Sequence, residues 1–187
     1  MKLLGIVGSL RADSYNAMLL RAAAEQLPDG VELTVFDGLR DIPPYDEDVE
    51  AGAQPAVEAL KAAIAEADGI LFATPEYNGS IPGQLKNALD WVSRPFDHNP
   101  LRNKPVAVII ASTGMFGAVW ASAELRKVLG LIGARALDRD TPIPLAESAF
   151  ASGDLDADYV DAVESALADL TGLARDAEQR RLERSLA

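Results

Sequence analysis

The stretch from Leu3 to Asn16, Leu-Leu-Gly-Ile-Val-Gly-Ser-Leu-Arg-Ala-Asp-Ser-Tyr-Asn, restricts the fold more than any other part of the chain. Leu3 to Val7 is apolar without alternation, the pattern of a parallel strand covered on both faces. Gly8 then allows the backbone to turn sharply. Ser9 and Ser14 bring hydroxyls, Arg11 brings a charged fork, and Ser14 or Asn16 suits the cap of a following helix whose free N–H groups point the same way. A strand, a polar turn and a helix start in this order make a cradle for an anion, and a dianionic monophosphate suits it better than a pyrophosphate. The lysine of a Walker loop and the third glycine of a dinucleotide fingerprint are both missing. An ordinary strand-to-helix turn with a serine cap and a surface arginine accounts for the same residues, so this segment alone does not decide the function.

Charge makes the arginine more informative. The chain has 187 residues and a formal net charge of −12, which argues against nucleic acid or an anionic membrane surface as partner, since both need a basic face. An anionic ligand must then be held by local donors. There is no cysteine, so disulfides, thiol catalysis and thiolate metal sites are excluded. The single histidine, His98, lies in Asp97-His98-Asn99-Pro100 and reads as a loop residue. It leaves no basis for a multi-histidine metal site and little for Ser-His-Asp chemistry. No linker divides the sequence, so one domain over residues 1–187 is expected. The start of the chain reads directly as a strand, and no run reaches membrane-spanning length, so a cytoplasmic protein is expected.

Strand and helix signals alternate along the rest of the chain. Met18, Leu19, Ala22, Ala23 and Leu27 keep helical spacing up to Pro28-Asp29-Gly30, and Val31 to Phe36 reads as a short strand. Asp37 to Gln54 is a long irregular connection containing Ile42-Pro43-Pro44-Tyr45-Asp46, of the kind that often lines a site. Pro55 to Asp68 reads as a helix, Gly69 to Thr74 and Pro105 to Ala111 as buried strands, and Gly117 to Ile132 as a helix. Ala134 to Ile143 holds the last strand, and a long helix runs from Asp154 to about Arg184. Five strands alternating with five helices require crossover connections and a parallel sheet. In both common doubly wound strand orders, ligands bind at the carboxyl ends of the strands, where the order reverses.

Two further loops leave such ends. After Thr74 comes Pro75-Glu76-Tyr77-Asn78-Gly79-Ser80-Ile81-Pro82-Gly83, with Pro82 in the expected first helical turn, Ser80 as its cap, and Leu85, Ala88, Leu89 and Val92 as the buried stripe. Tyr77 and Asn78 are left to form an aromatic wall and an amide able to read a planar heteroaromatic edge. After Ala111 comes Ser112-Thr113-Gly114-Met115-Phe116-Gly117, where glycines permit close approach and two hydroxyls are available.

Taken together, Gly8-Ser9-Leu10-Arg11 with Ser14 and Asn16, Pro75 to Gly83 with Leu85-Lys86-Asn87-Ala88 and Asp90-Trp91, and Ser112, Gly114 and Gly117 with Leu125-Arg126 resemble the NAD(P)H-dependent FMN reductases. This flavodoxin-like group includes the bacterial quinone and chromate reductases. The likeness spans about Leu4 to Leu145, and Ile42 to Asp46 resembles that family's loop after the second strand. It implies a three-layer doubly wound α/β sandwich with a five-stranded parallel sheet in the order 2-1-3-4-5. It also implies bound FMN, with NADPH or NADH as electron donor. Ser9, Arg11, Ser14 and Asn16 would hold the FMN phosphate, with Tyr15 beside them in an open role. Pro75, Glu76, Tyr77 and Asn78 would run along the flavin ring, and Ser112 and Gly114 would face its other side. Many family members have a second glycine after the position of Gly117; Ala118-Val119-Trp120 stand here, so Trp120 either narrows the site or belongs to a subunit contact, and substrate preference stays open. Homodimers or homotetramers are implied, with Trp91 and Phe96 placing large aromatics near a helix end and Arg126 pairing within or between subunits.

A flavin would carry the redox chemistry itself, so no catalytic side chain is assigned. The acceptor is expected to be a small molecule, first a quinone, then free flavin, an azo compound or chromate. A non-catalytic FMN-binding electron carrier is the alternative. An acyl hydrolase acting through Ser9 or Ser112 lacks the Gly-x-Ser-x-Gly elbow and a suitable base.

Overall fold

A computed structural model describes every residue except Ala51, Ala53, Leu186 and Ala187, with the side chain of Arg184 also left aside. Its centre is β1 (Lys2–Val7), β3 (Gly69–Ala73) and β4 (Pro105–Ala111), with β2 (Glu32–Phe36) outside β1. On the far side of β4 lie two short pieces, β5 (Arg135–Ala136) and β6 (Pro142–Ile143). All pairings are parallel and the order is β2-β1-β3-β4-β5, with β6 also on β4. The expected fifth strand is thus broken. Arg135 and Ala136 pair with Pro105 and Val106, while Pro142 and Ile143 pair with Ile110 and Ala111. Between them Asp140 turns toward α4 (Val119–Ile132), accepting Ser122 Oγ at 2.8 Å and lying 2.8 Å from an Arg126 nitrogen. Arg126 therefore has its ion-pair partner inside the subunit.

Alternate residues of the central strands feed two cores, as a pleated sheet requires. Leu4, Ile6, Ile70, Phe72, Val106 and Val108 face α2 (Pro55–Glu66), α3 (Gly83–Val92) and α4. Leu3, Leu71, Ala73, Ala107 and Ile109 face α1 (Tyr15–Glu25), the short α5 (Ala146–Ala149) and α6 (Ala157–Ser185). β3 and β4 are buried along their whole length, which explains their unbroken apolar runs. This is the three-layer sandwich expected from the sequence.

The boundaries that moved have local causes. α4 begins at Val119 rather than Gly117 because Gly117 and Ala118 both have φ near +60°, outside the helical region. Pro82 caps α3 instead of opening it, and Ser80 belongs to the preceding turn, so it is not the cap. The connection after β2 has two short 3-10 turns, at Gly38–Asp41 and Glu47–Val49. It is pinned by one face of α3. Gln84 Nε2 donates to the carbonyls of Leu39 and Ile42, and Asn87 Nδ2 and Trp91 Nε1 both donate to that of Pro43. Tyr45 N–H donates to Asn87 Oδ1, and the Tyr45 ring meets Trp91 edge-on at 5.1 Å. Trp91 is 1% exposed, so it anchors this loop and is not free to meet another subunit.

Candidate functional site

The chain leaves β1 toward β2 on one side and later returns to β3 on the other, so the strand order reverses between β1 and β3. Residues 8–14, 74–82 and 112–118 follow the carboxyl ends of β1, β3 and β4, next to one another at this switch point.

Backbone proximity fixes the first loop. Gly8 N–H donates to the carbonyl of Ala73 at 2.8 Å. A Cβ on Gly8 would lie 2.5 Å from Thr74 Oγ1 and 3.0 Å from Leu85 Cδ2, so no larger residue fits without displacement. Ser9 is buried, and its Oγ accepts Arg11 N–H at 3.3 Å, which tightens the turn. Arg11 is exposed, and Nη2 reaches the Asp13 carbonyl at 3.3 Å. Ser14 is buried at the head of α1 in extended geometry, yet its hydroxyl makes no capping bond. The first N–H groups of α1 also lack helical acceptors, as at any helix start. Arg40, which sequence patterning did not single out, donates from Nη2 to the Leu10 carbonyl and adds a second guanidinium beside the loop.

Two predicted residues have their side chains turned elsewhere. The amide of Asn16 bonds to the backbone of Ala111 on both sides, Nδ2 to the carbonyl at 2.8 Å and Oδ1 from the N–H at 2.9 Å. The Tyr15 ring stacks on Phe150 at 6.0 Å. What these two positions present to an anion is backbone N–H, while Asn16 ties α1 to the end of β4.

In the second loop, Tyr77 and Ser80 exchange backbone hydrogen bonds at 2.9 and 3.2 Å across Asn78 and Gly79, which both have positive φ. This is the geometry of a primed hairpin turn, and Asn-Gly is its preferred dipeptide. Tyr77, 46% exposed, and Asn78 stand at the tip. Pro75 is half-buried, and Glu76 turns its carboxylate to the first turn of α4, where Oε2 accepts Ala121 N–H at 3.1 Å. In return, Glu124 of α4 accepts Ile81 N–H at 3.3 Å. This two-way clasp fixes the second loop against α4, and only the structure reveals Glu124 as part of it.

In the third loop, Ser112 Oγ accepts Gly114 N–H at 3.2 Å, and the Gly114 carbonyl accepts Leu145 N–H at 3.3 Å. Gly117, at φ +59°, packs so closely that a Cβ would come within 2.6 Å of Pro142 Cβ. Met115, Phe116 and Trp120 project outward at 75%, 68% and 55% exposure, the last two with ring centroids 5.7 Å apart.

The fit to FMN rests on this donor set. At the first loop stand two serine hydroxyls, that of Ser14 making no capping bond, a guanidinium and the free end of a helix, which suit a phosphate dianion. At the other two loops an aromatic ring and backbone amides suit a planar heterocycle.

Comparison with known proteins agrees. The sequence model for NADPH-dependent FMN reductase matches residues 1–147. The chain is 45% identical over 151 residues to the NAD(P)H-dependent FMN reductase of Pseudomonas aeruginosa, covering 80% of each protein. It is 41% identical over 136 residues to the quinone reductase of Escherichia coli, covering 72% of each. The structure superposes on the flavoenzyme NAD(P)H:(acceptor) oxidoreductase FerB of Paracoccus denitrificans with a TM-score of 0.79, at 32% identity, over 95% of this chain and 97% of that one.

Proposed function

Because the chain belongs to the NADPH-dependent FMN reductase family, we propose that Ser9, Arg11, Ser14 and the N-terminal amides of α1 hold the phosphate of FMN. In this reading Pro75 to Asn78 border the flavin ring, and Ser112 and Gly114 lie across from them. The protein is an FMN-dependent oxidoreductase that uses NADPH or NADH. FMN held by these residues would supply two-electron redox chemistry between reduced nicotinamide and the acceptor.

The residues of the chain bind and orient. Arg11, with Arg40 behind it, gives positive potential where a protein of net charge −12 would otherwise repel an anion. The clasp formed by Glu76 on Ala121 N–H and Glu124 on Ile81 N–H fixes the second loop so that Tyr77 keeps its place as a wall. A quinone is the acceptor we favour, supported by the quinone reductases among the relatives.

We read the chain as one domain working as a homodimer or homotetramer. The exposed Met115, Phe116 and Trp120 at the carboxyl edge of the sheet support association, because apolar patches of this kind mark contact surfaces. Among the described residues no helix is long and apolar enough to cross a membrane, in keeping with a cytoplasmic site of action.

The observation that carries this reading is Ser14, a buried residue at the head of α1 whose hydroxyl makes no capping bond, three residues after Arg11. Replacing Arg11 by Ala removes a charge-assisted contact of roughly 1.5–3 kcal/mol, about tenfold to a hundredfold in FMN affinity. A fluorescence titration with FMN checks it, and an unchanged dissociation constant would contradict the assignment.

A further inference from the structure

At the opposite edge of the sheet, between the amino ends of β3, β4 and β5 and the last turns of α6, lies a cavity of about 500 Å³. The length of β4 puts it roughly 20 Å from the flavin loops. Five cations line it, Arg102, Lys104, Arg135, Arg180 and Arg181, in a chain whose net charge is −12.

Folding explains two of them. Lys104 Nζ donates to the carbonyls of Ala65 and Ala67 at the end of α2, and Arg102 lies over the Phe96 ring at 5.5 Å and 4.0 Å from Asp97. Arg135, Arg180 and Arg181 have no carboxylate within 4.0 Å among the described residues. The acids lining the cavity, Glu66, Asp68 and Glu178, are fewer than the cations, and Asp68 already accepts Lys2 N–H at 2.7 Å. Burial holds the Lys104 ammonium below its ordinary pKa, the Asp68 carboxylate opposes that shift, and the Arg181 charge adds to it more weakly. Uncompensated guanidinium forks around a cavity of small-molecule size match the planar oxygens of phosphate and carboxylate groups.

We propose that this cavity is a second ligand site, for a small polyanion carrying at least two phosphoryl or carboxylate groups, held by Arg135, Arg180 and Arg181. The two arginines of α6 are exposed, so replacing them leaves both cores intact.

The test is calorimetric titration of the FMN-loaded protein with inorganic pyrophosphate and, separately, with citrate, in about 0.1 M salt to screen weak surface attraction. The expected result is binding of at least one probe at sub-millimolar concentration, one per chain, weakened at least tenfold by the double variant R180Q/R181Q with FMN content and NADH oxidation unchanged. Pyrophosphate alone would identify a phosphoryl ligand, and citrate alone or both probes a site that accepts carboxylates. Absence of binding by both, equal binding in the double variant, or loss of binding in Arg11→Ala, which would put the probe in the flavin cradle, overturns the proposal.

Discussion

The side-chain amide of Asn16 is paired on both its polar atoms with the backbone of Ala111, 95 residues away. This pair holds the start of α1 over the end of β4, so the first and third loops keep a fixed spacing. Asn16→Ala leaves a buried N–H and a buried carbonyl of Ala111 without partners, a cost of roughly 2–4 kcal/mol. A lowered urea midpoint together with weaker FMN binding is the expected outcome. Unchanged stability would show that the pair is not needed to join the loops.

Gly8 is required by Thr74 more than by its own backbone conformation. Gly8→Ala brings a methyl within 2.5 Å of Thr74 Oγ1, and overpacking of this kind costs about 1–3 kcal/mol. Adding Thr74→Ala removes the nearest obstacle while Leu85 Cδ2 and the Cβ at position 74 remain 3.0 Å away, so partial rescue is expected. A double-mutant cycle measures it, and strictly additive effects would contradict the stated clash.

The carboxylate of Glu76 sits on an N-terminal amide of α4, a helix whose own cap residue, Ala118, provides no side-chain bond. Glu76→Ala is expected to cost about 1 kcal/mol as a lost cap and charge–dipole contact. It should also raise hydrogen exchange at Ala121 and over residues 76–81. Unaltered exchange there would mean that the second loop is held without the clasp.

Association can be tested directly. Light scattering at micromolar concentration is expected to report a dimer or tetramer, and the double variant F116D/W120D a smaller species. A wild-type monomer would refute the proposed assembly.

Much of this was legible in the sequence because backbone rules act locally. The unbroken apolar runs at Gly69 to Ala73 and Pro105 to Ala111 mark strands buried on both faces, and their order beside β1 follows the family likeness. What was not legible depends on partners far along the chain. Nothing near Asn16 signals Ala111, and nothing near Trp91 signals the Pro43 carbonyl that takes its indole N–H. Nothing near Glu76 signals the Ala121 N–H, 45 residues on, that its carboxylate accepts. A Pro-Asn-Gly turn between strand and helix is legible at Pro75 to Gly79, but the pairing of Tyr77 with Ser80 that it closes is not. The break in the fifth strand likewise depends on the demand of Ser122 and Arg126 for Asp140.

The central claim is that this chain is a flavin reductase and not merely a carrier of FMN. Anaerobic mixing of the FMN-loaded protein with NADH or with NADPH, followed by addition of benzoquinone, tests it most directly through the visible absorbance of the oxidised flavin. The account predicts bleaching by at least one nicotinamide within minutes and full return of the absorbance on adding quinone. Bleaching by neither nicotinamide would contradict it and would leave a flavin-binding electron carrier in its place.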